Sequence, residues 1–172
     1  MKKITKITLA LLAGTLVALV LLNQLVSRSI RTEIQINAPA DKVWDVLMDH
    51  EKYSDWNPFI KKISGNTRQG ESLSVTIQSP GNSAMDFEPI VLINHPAQEF
   101  RWEGKLFIKG LFDGEHYFII NQSSPGKVTF IHGENFKGLV SGLLTKLILD
   151  DTQIGFELMN EALKSRAEKH TI

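Results

Sequence analysis

The spacing of hydrophobic residues changes several times along this chain of 172 residues. Residues 7–27 form an apolar segment without a charge, whereas apolar and polar residues alternate over 32–37 and again through most of 59–136. After residue 139 the apolar residues recur every three or four positions. Alternation is typical of a strand with one buried face, and the longer spacing is typical of a helix. The pattern therefore predicts strands in the middle of the chain and helices at its ends.

Turn and capping signals divide this pattern into elements. A first strand over 32–37 is followed by Pro39 and Asp41, which indicate the start of a helix. A second short helix is expected over 51–54, and a long helix over 139–169. Between them we expect six strands, over 60–66, 71–79, 85–94, 98–106, 112–121 and 127–135.

This order of elements predicts an α+β domain. Strands that follow one another through short links pair as antiparallel neighbours, so the six strands are expected to form a meander. The C-terminal helix carries a broad apolar stripe that includes Leu144, Ile148 and Leu163. A curved sheet wrapped around that helix would cover the stripe, and we therefore expect residues 31–172 to form one domain.

The N-terminal segment has the length of a membrane-spanning helix. Residues 7–27 would measure about 31 Å as a helix, which matches the hydrocarbon core of a bilayer. A cleaved signal peptide is the alternative, although the sequence before Ser27 offers no small-x-small cleavage site. We predict an uncleaved signal-anchor helix within residues 1–30. Three lysines precede the segment and two arginines follow it, which predicts a cytoplasmic N-terminus and an extracytoplasmic domain.

Charge and composition exclude several classes of protein. The chain carries 19 Lys and Arg against 19 Asp and Glu, and it has no cysteine. Three of the lysines lie before residue 7, so the remainder of the chain is slightly acidic. An acidic domain lacks the positive surface that nucleic-acid binding requires, so we predict no nucleic-acid partner. Without cysteine there is neither a thiolate zinc site nor a cysteine nucleophile.

Several short motifs occur in an order that resembles the START-like, or SRPBCC, superfamily, in its polyketide cyclase/dehydrase-like branch. They are Ala38-Pro39 with Val43-Trp44, then Tyr53-x-x-Trp56-Asn57-Pro58-Phe59, His116-x-Phe118, His132-Gly133-Glu134-x-Phe136-x-Gly138 and Gly155-Phe156-x-x-Met159-Asn160. The resemblance covers about residues 31–169. It implies the helix-grip fold, a curved antiparallel sheet around a long C-terminal helix, with an apolar cavity between them that receives a hydrophobic small molecule.

His116, His132 and Glu134 are the polar residues most suited to such a cavity. A hairpin loop over 121–127 would pair residue 118 with 130 and His116 with His132, and this places all three side chains on the inner face. They are candidates for an acid/base group, for residues that orient a ligand, or for a metal site. The alternative is a buried trio whose members satisfy one another's hydrogen bonds. No recognisable metal-ligand spacing occurs, and we therefore predict no metal site.

The predicted ligand-binding set combines these polar residues with aromatic ones. The resemblance places Trp56, Asn57 and Phe59 at the cavity entrance, although the simpler interpretation, that Trp56 fills the core and Asn57-Pro58 makes a turn, is favoured. Alternation turns Phe100 and Trp102 inward as wall residues. The full set is Trp56, Asn57, Phe59, Phe100, Trp102, His116, Phe118, Phe130, His132 and Glu134. No phosphate loop, dinucleotide fingerprint or G-x-S-x-G motif is present, so no cofactor is predicted.

Three functions are compatible with these features. The first is a membrane-anchored module that binds a hydrophobic small molecule such as a lipid, a quinone or a polyketide-like compound. The second is a cyclase, dehydratase or hydrolase that uses His116, His132 or Glu134 as acid and base. The third is a scaffold whose own side chains fill the cavity. The sequence favours the first and predicts no particular protein partner.

Overall fold

A computed structural model describes residues 2–25, 29–106, 108–138 and 140–169. The helices are α1 (Lys2–Leu25), α2 (Ala40–Met48), α3 (Tyr53–Trp56) and α4 (Ser141–Ala167), and a 3-10 turn, His50–Lys52, precedes α3. The strands are β1 (Ser29–Ile36), β2 (Ile60–Gly65), β3 (Leu73–Ile77), β4 (Met85–Phe87), β5 (Ile90–His95), β6 (Glu99–Leu106), β7 (Phe112–Ser124) and β8 (Lys127–Lys137). The predicted α+β class and order of elements are confirmed.

The strands form two antiparallel sheets that meet at one edge. Five strands pair in the order β1-β8-β7-β6-β5, and β2, β3 and β4 form a smaller sheet. A bridge between Ser72 and Ile90 joins the two sheets, so together they curve around α4. The first strand pairs with the last, Ile36 opposite Val128, which is a connection that a simple meander lacks. The result is the curved sheet and C-terminal helix of the helix-grip fold.

The prediction of a single strand over 85–94 is wrong, because the structure divides this segment into β4 and β5. The division falls at Glu88 and Pro89, and these two strands belong to different sheets. Proline has no N–H to donate to a ladder, and this favours a break in pairing at that position. The carbonyl of Pro89 instead accepts a hydrogen bond of 2.9 Å from the backbone N–H of Leu73.

The register predicted for the β7–β8 hairpin is also wrong, by two residues. His116 lies opposite Glu134 rather than His132, and His132 lies opposite Phe118. The strands continue to Ser124 and Lys127, so the connection is the tight turn Pro125-Gly126, with Gly126 at φ 72°, and not a loop over 121–127. A shift of two residues preserves the face of every side chain. The predicted inner face is therefore correct although the predicted pairs are not.

The N-terminal segment is helical, as α1 shows, but the prediction of a membrane-spanning helix over 7–27 is not supported. Within the described ranges, no helix combines the length and the apolar character needed to cross a membrane. Residues 26 and 27 of the predicted span lie outside the described residues.

Candidate functional site

A cavity of about 200 Å³ lies between the two sheets and α4. Its wall is mostly apolar and combines residues of β3, β4, β6, β7, β8 and α4. The apolar lining residues include Val75, Ile77, Met85, Phe87, Phe112, Phe136 and Ile148. The polar ones are Ser79, Lys105, His116, Glu134 and Thr152. Such a composition, apolar with a few polar groups, is typical of a small-molecule site.

The position of the cavity follows from three rows of inward side chains across β6, β7 and β8. The first row is Phe100, Phe118 and His132; the second is Trp102, His116 and Glu134; the third is Gly104, Gly114 and Phe136. Bulky or polar side chains occupy every position of the first two rows. Two adjacent glycines leave the third row without side chains on β6 and β7. The Glu134 carboxylate takes up the space next to Gly114, whereas the space next to Gly104 is open, and both glycines line the cavity.

His116 lies at the boundary between the packed rows and the cavity. Its ring is stacked on that of Trp102, with centroids 4.7 Å apart and planes 5° apart. Its Nε2 lies 2.8 Å from Nε2 of His132, so one of the two nitrogens donates a proton to the other. The residue is 1% exposed. The ring is thus fixed on one side and faces the cavity with the other.

His132 lies behind His116, in the packed interior. Its ring is stacked on Phe156 of α4 at a centroid distance of 3.7 Å, and its Nδ1 lies 3.2 Å from Oδ1 of Asn160. Burial, together with the neighbouring His116, lowers the pKa of His132 well below its usual value. His132 is therefore neutral at physiological pH, and its hydrogen bond to the cavity wall is the one to His116.

Glu134 is the acidic residue of the cavity wall. Its Oε2 lies 3.6 Å from Nδ1 of His116, which is outside hydrogen-bond range but within the distance of an ion pair when His116 is protonated. The carboxylate occupies space that a side chain at residue 114 would take, since a Cβ on Gly114 would lie 2.3 Å from Oε1. The absence of a side chain at Gly114 therefore leaves room for the Glu134 carboxylate beside His116.

The structure brings together four of the ten predicted ligand-binding residues at the cavity. Phe59, Trp102, His116 and Glu134 line it. Phe100, Phe118, Phe130 and His132 are fully buried in the packed interior and are not among the described lining residues. These four residues lie in or beside the first row, and their contact with a ligand stays a prediction.

Trp56 and Asn57 also lie away from the cavity wall, although the resemblance placed them at its entrance. Oδ1 of Asn57 accepts hydrogen bonds from the backbone N–H groups of Phe59 and Ile60, at 3.0 and 2.9 Å. Asn57 thus stabilises a turn, as in the interpretation of Asn57-Pro58 that the sequence analysis set beside the cavity entrance. Trp56 packs edge-on against Tyr53, with ring centroids 5.1 Å apart.

Two polar residues behind the site were missed by the sequence analysis. Asn160 donates from Nδ2 to Oγ1 of Thr32 at 2.9 Å, and Thr32 donates to the backbone carbonyl of His132 at 3.1 Å. Both residues are buried. Buried polar side chains in apolar surroundings, such as Asn160 between Met159 and Leu163, were the available signal. Over the described part of the chain, no group of three metal-ligating side chains is positioned to hold a metal ion.

Comparisons with known proteins agree with this geometry. Residues 27–168 match the sequence family described as polyketide cyclase / dehydrase and lipid transport. No curated protein matches the chain. Among solved structures, the Zhui aromatase/cyclase from a Streptomyces species is 15% identical, with a TM-score of 0.66 over 82% of this chain and 93% of that one. A START superfamily protein from Mycobacterium smegmatis is 20% identical, with a TM-score of 0.63 over 83% and 98%.

A third solved structure, a norcoclaurine synthase from Thalictrum flavum in complex with a transition-state analogue, is 15% identical. Its TM-score is 0.62, over 83% of this chain and 94% of that one. Identities this low establish a common fold and leave the activity open.

Proposed function

Because the chain belongs to the polyketide cyclase/dehydrase and lipid transport family, we propose that it binds a hydrophobic small molecule in the cavity between its sheets and α4. One observation carries the proposal: the adjacent glycines Gly104 and Gly114 line an apolar cavity next to two rows of inward side chains that are fully occupied. Burial of apolar ligand surface supplies affinity there, at about 25 cal/mol per Å² before the costs of binding.

The size of the cavity favours a compact ligand. Its volume of about 200 Å³ is below the usual range for drug-sized ligands, whereas an engineered cavity of about 150 Å³ accepts benzene. A compound of one or two rings therefore fits better than a long-chain lipid or an isoprenoid quinone. Of the ligand classes that the sequence suggests, a ring compound of the polyketide-like kind is the one we favour.

An enzyme is the second candidate, and the pair His116 and Glu134 is the observation that favours it. A base and a carboxylate 3.6 Å apart at the wall of an apolar cavity are suited to move a proton on a bound ligand. A cyclisation or a dehydration would need such a group. His132 would then support His116 from behind, and would not itself touch the ligand.

Binding is tested with the full-length chain, kept free of detergent because detergent competes for an apolar cavity. Titration of 1-naphthol and of palmitate, followed by protein NMR, compares a two-ring ligand with a long chain. We expect 1-naphthol to shift resonances of residues that line the cavity, and palmitate to bind more weakly. If neither compound nor any member of a wider ring panel binds, the binding proposal is wrong.

A variant that closes the cavity supplies the control. Gly104 has only the Cβ of Pro89, at 3.8 Å, near the position of an added Cβ, so Gly104→Leu extends a side chain into the open space. We expect this variant to remain folded and to lose 1-naphthol binding. Undiminished binding would show that the ligand occupies another site.

If the protein is an enzyme, we expect His116→Gln to lower its turnover about 10²-fold or more.

A further inference from the structure

A chain of buried hydrogen bonds with a defined direction ends at His116. Its first donor is the hydroxyl of Thr32, which lies 3.1 Å from the backbone carbonyl of His132. A carbonyl oxygen only accepts, so the single hydroxyl proton of Thr32 is used in this bond. Oγ1 must therefore accept from its other neighbour, Nδ2 of Asn160, at 2.9 Å. This orients the amide of Asn160.

The orientation of Asn160 determines the protonation of His132. Oδ1 of the amide faces Nδ1 of His132 at 3.2 Å, and an amide oxygen only accepts, so Nδ1 carries the proton. Because His132 is neutral, its Nε2 then carries a lone pair. That lone pair faces Nε2 of His116 at 2.8 Å and accepts its proton.

His116 therefore keeps its proton on Nε2, and the nitrogen that faces Glu134 is Nδ1. Nδ1 has no proton when the ring is neutral and gains one when the ring is charged. Nδ1 and Oε2 of Glu134 lie 3.6 Å apart, and one proton held by either of them would give the pair one donor and one acceptor. Among the described lining residues, Lys105 is the other charged group, and it is exposed.

We propose that Thr32, Asn160 and His132 act as positioning residues that hold the proton of His116 on Nε2, so that Nδ1 and Glu134 form a clamp for one neutral hydroxyl group of the ligand. The inference rests on the proposed function, since it concerns the polar end of the same cavity. It specifies the ligand further, as a small ring compound that carries an alcohol or phenol group.

The geometry of the clamp explains why a hydroxyl fits it. An oxygen atom can lie about 2.8 Å from both Nδ1 of His116 and Oε2 of Glu134, since these atoms are 3.6 Å apart. A hydroxyl accepts from protonated Nδ1 and donates to the carboxylate, which satisfies both groups. A carbonyl accepts from Nδ1 but has nothing to donate to Glu134, and a ligand carboxylate is repelled by it.

The clamp is tested by ligands that differ at one group. Phenol, toluene, benzaldehyde and benzoate are titrated against the full-length chain and followed by NMR. We expect phenol to bind about tenfold to a hundredfold more tightly than toluene, because its hydrogen bonds involve charged groups. Benzaldehyde should lie between them, and benzoate should bind most weakly. Equal affinities for phenol and toluene would overturn the clamp while leaving the proposed function intact, whereas failure of all four would overturn the proposed function.

Two variants separate the clamp from a general effect of charge. Glu134→Gln removes the carboxylate, and we expect it to reduce the preference for phenol over toluene to about threefold or less. Glu161→Gln removes an exposed carboxylate on the outer side of α4 and should leave the preference unchanged. An unchanged preference in Glu134→Gln would remove Glu134 from the clamp.

The positioning chain has its own spectroscopic test, which does not depend on any ligand. The ¹⁵N shifts of His116 report which nitrogen carries the proton, and we expect Nε2 to be protonated in the native chain. Thr32→Ser retains the hydroxyl and should keep this tautomer. Thr32→Val removes the hydroxyl and should give a mixture of the two His116 tautomers. A native His116 protonated only on Nδ1 would overturn the direction of the chain, and a pure Nε2 tautomer in Thr32→Val would remove Thr32 from it.

Discussion

Two neighbouring parts of the interior, built on the same three strands, pack in opposite ways. We call them the filled half, which consists of Phe100, Phe118 and His132 with Phe156 of α4, and the open half, which consists of Gly104, Gly114 and Phe136 with Phe112. In the filled half the ring of His132 lies 3.7 Å from that of Phe156, centroid to centroid. In the open half the equivalent space is the cavity.

Both halves contain stacked aromatic pairs, so aromatic content does not explain the difference. The ring of Phe118, in the filled half, is stacked on that of Phe130, with centroids 5.9 Å apart and planes 17° apart. In the open half the rings of Phe112 and Phe136 are stacked with centroids 5.3 Å apart and planes 22° apart. What differs is the row of residues next to these pairs, where Gly104 stands beside Gly114. The open space therefore lies beside Gly104, because the Glu134 carboxylate already occupies the space beside Gly114.

The two halves also differ in their polar groups. His132, in the filled half, has its ring nitrogens committed to Asn160 and His116. Glu134, beside the open half, has a side chain that is 18% exposed. Its Oε2 lies 3.6 Å from Nδ1 of His116, beyond hydrogen-bond range. The polar group that is fully satisfied maintains the structure, and the pair that is incompletely satisfied is the one available to a ligand.

The largest expected effect concerns the cost of removing an aromatic ring from each half. Phe118→Ala in the filled half is expected to lower the free energy of unfolding by about 3–5 kcal/mol. Phe136→Ala should cost at least about 1 kcal/mol less, because one side of its ring already faces the cavity and lacks contacts there. Urea denaturation of both variants provides the comparison.

Phe118 and Phe136 lie on adjacent strands, are 0% and 3% exposed, and are the same residue type. Each therefore serves as the control for the other. Equal losses would mean that the open half is as well packed as the filled half in solution, and would contradict the comparison.

A smaller effect is expected on the pH dependence of stability, through buried histidines such as His132 of the filled half. Burial lowers the pKa of His132 well below its usual value and that of His50 to about 4. The unfolded chain binds protons at these residues below about pH 6.5 whereas the folded chain does not, so stability is lost as pH falls. For His132 we expect the free energy of unfolding to decrease as the pH is lowered from 7 to 5.

Urea denaturation at a series of pH values, with His132→Gln as the comparison, measures this loss. The pKa of Glu115, held low by Lys137 and Arg101 against the effect of burial, changes stability in the same direction but only at more acidic pH. The variant should therefore show a shallower dependence between pH 7 and pH 5. The same slope in both proteins would mean that His132 is accessible to protons in the folded state.

The sequence predicted the faces of the strands better than their partners. Alternation placed Phe118, His132 and Glu134 on the inner face, and this is correct because a two-residue error in register changes no face. The register itself depends on the turn, and Pro125-Gly126 is also compatible with a longer loop. Likewise the break between β4 and β5 at Pro89 lies within a pattern that alternates without interruption.

The site was less predictable because its decisive residues are small or distant in sequence. Gly104 and Gly114 become a cavity only when β6 and β7 pair, which no local pattern reveals. Thr32 and Asn160 are separated by 128 positions, and each alone is an ordinary polar residue. His116 and Glu134 were predictable because they are polar residues on an apolar face. The contact between them depended on a register that sequence alone left open.

The smallest expected change in stability, and the sharpest test of the boundary between the halves, comes from a single methyl group at each glycine of the open half. In Gly114→Ala the new Cβ would lie 2.3 Å from Oε1 of Glu134, so the carboxylate must leave its present position beside His116. In Gly104→Ala the nearest atom, Cβ of Pro89, is at an ordinary 3.8 Å, and nothing has to move. Because the displaced group is the end of a flexible side chain, we expect both variants to change stability by no more than about 1 kcal/mol. Titration with phenol and toluene should then show the preference for phenol reduced in Gly114→Ala and retained in Gly104→Ala. If both variants keep the preference, the position of the Glu134 carboxylate does not determine it, and the polar end of the cavity lies elsewhere.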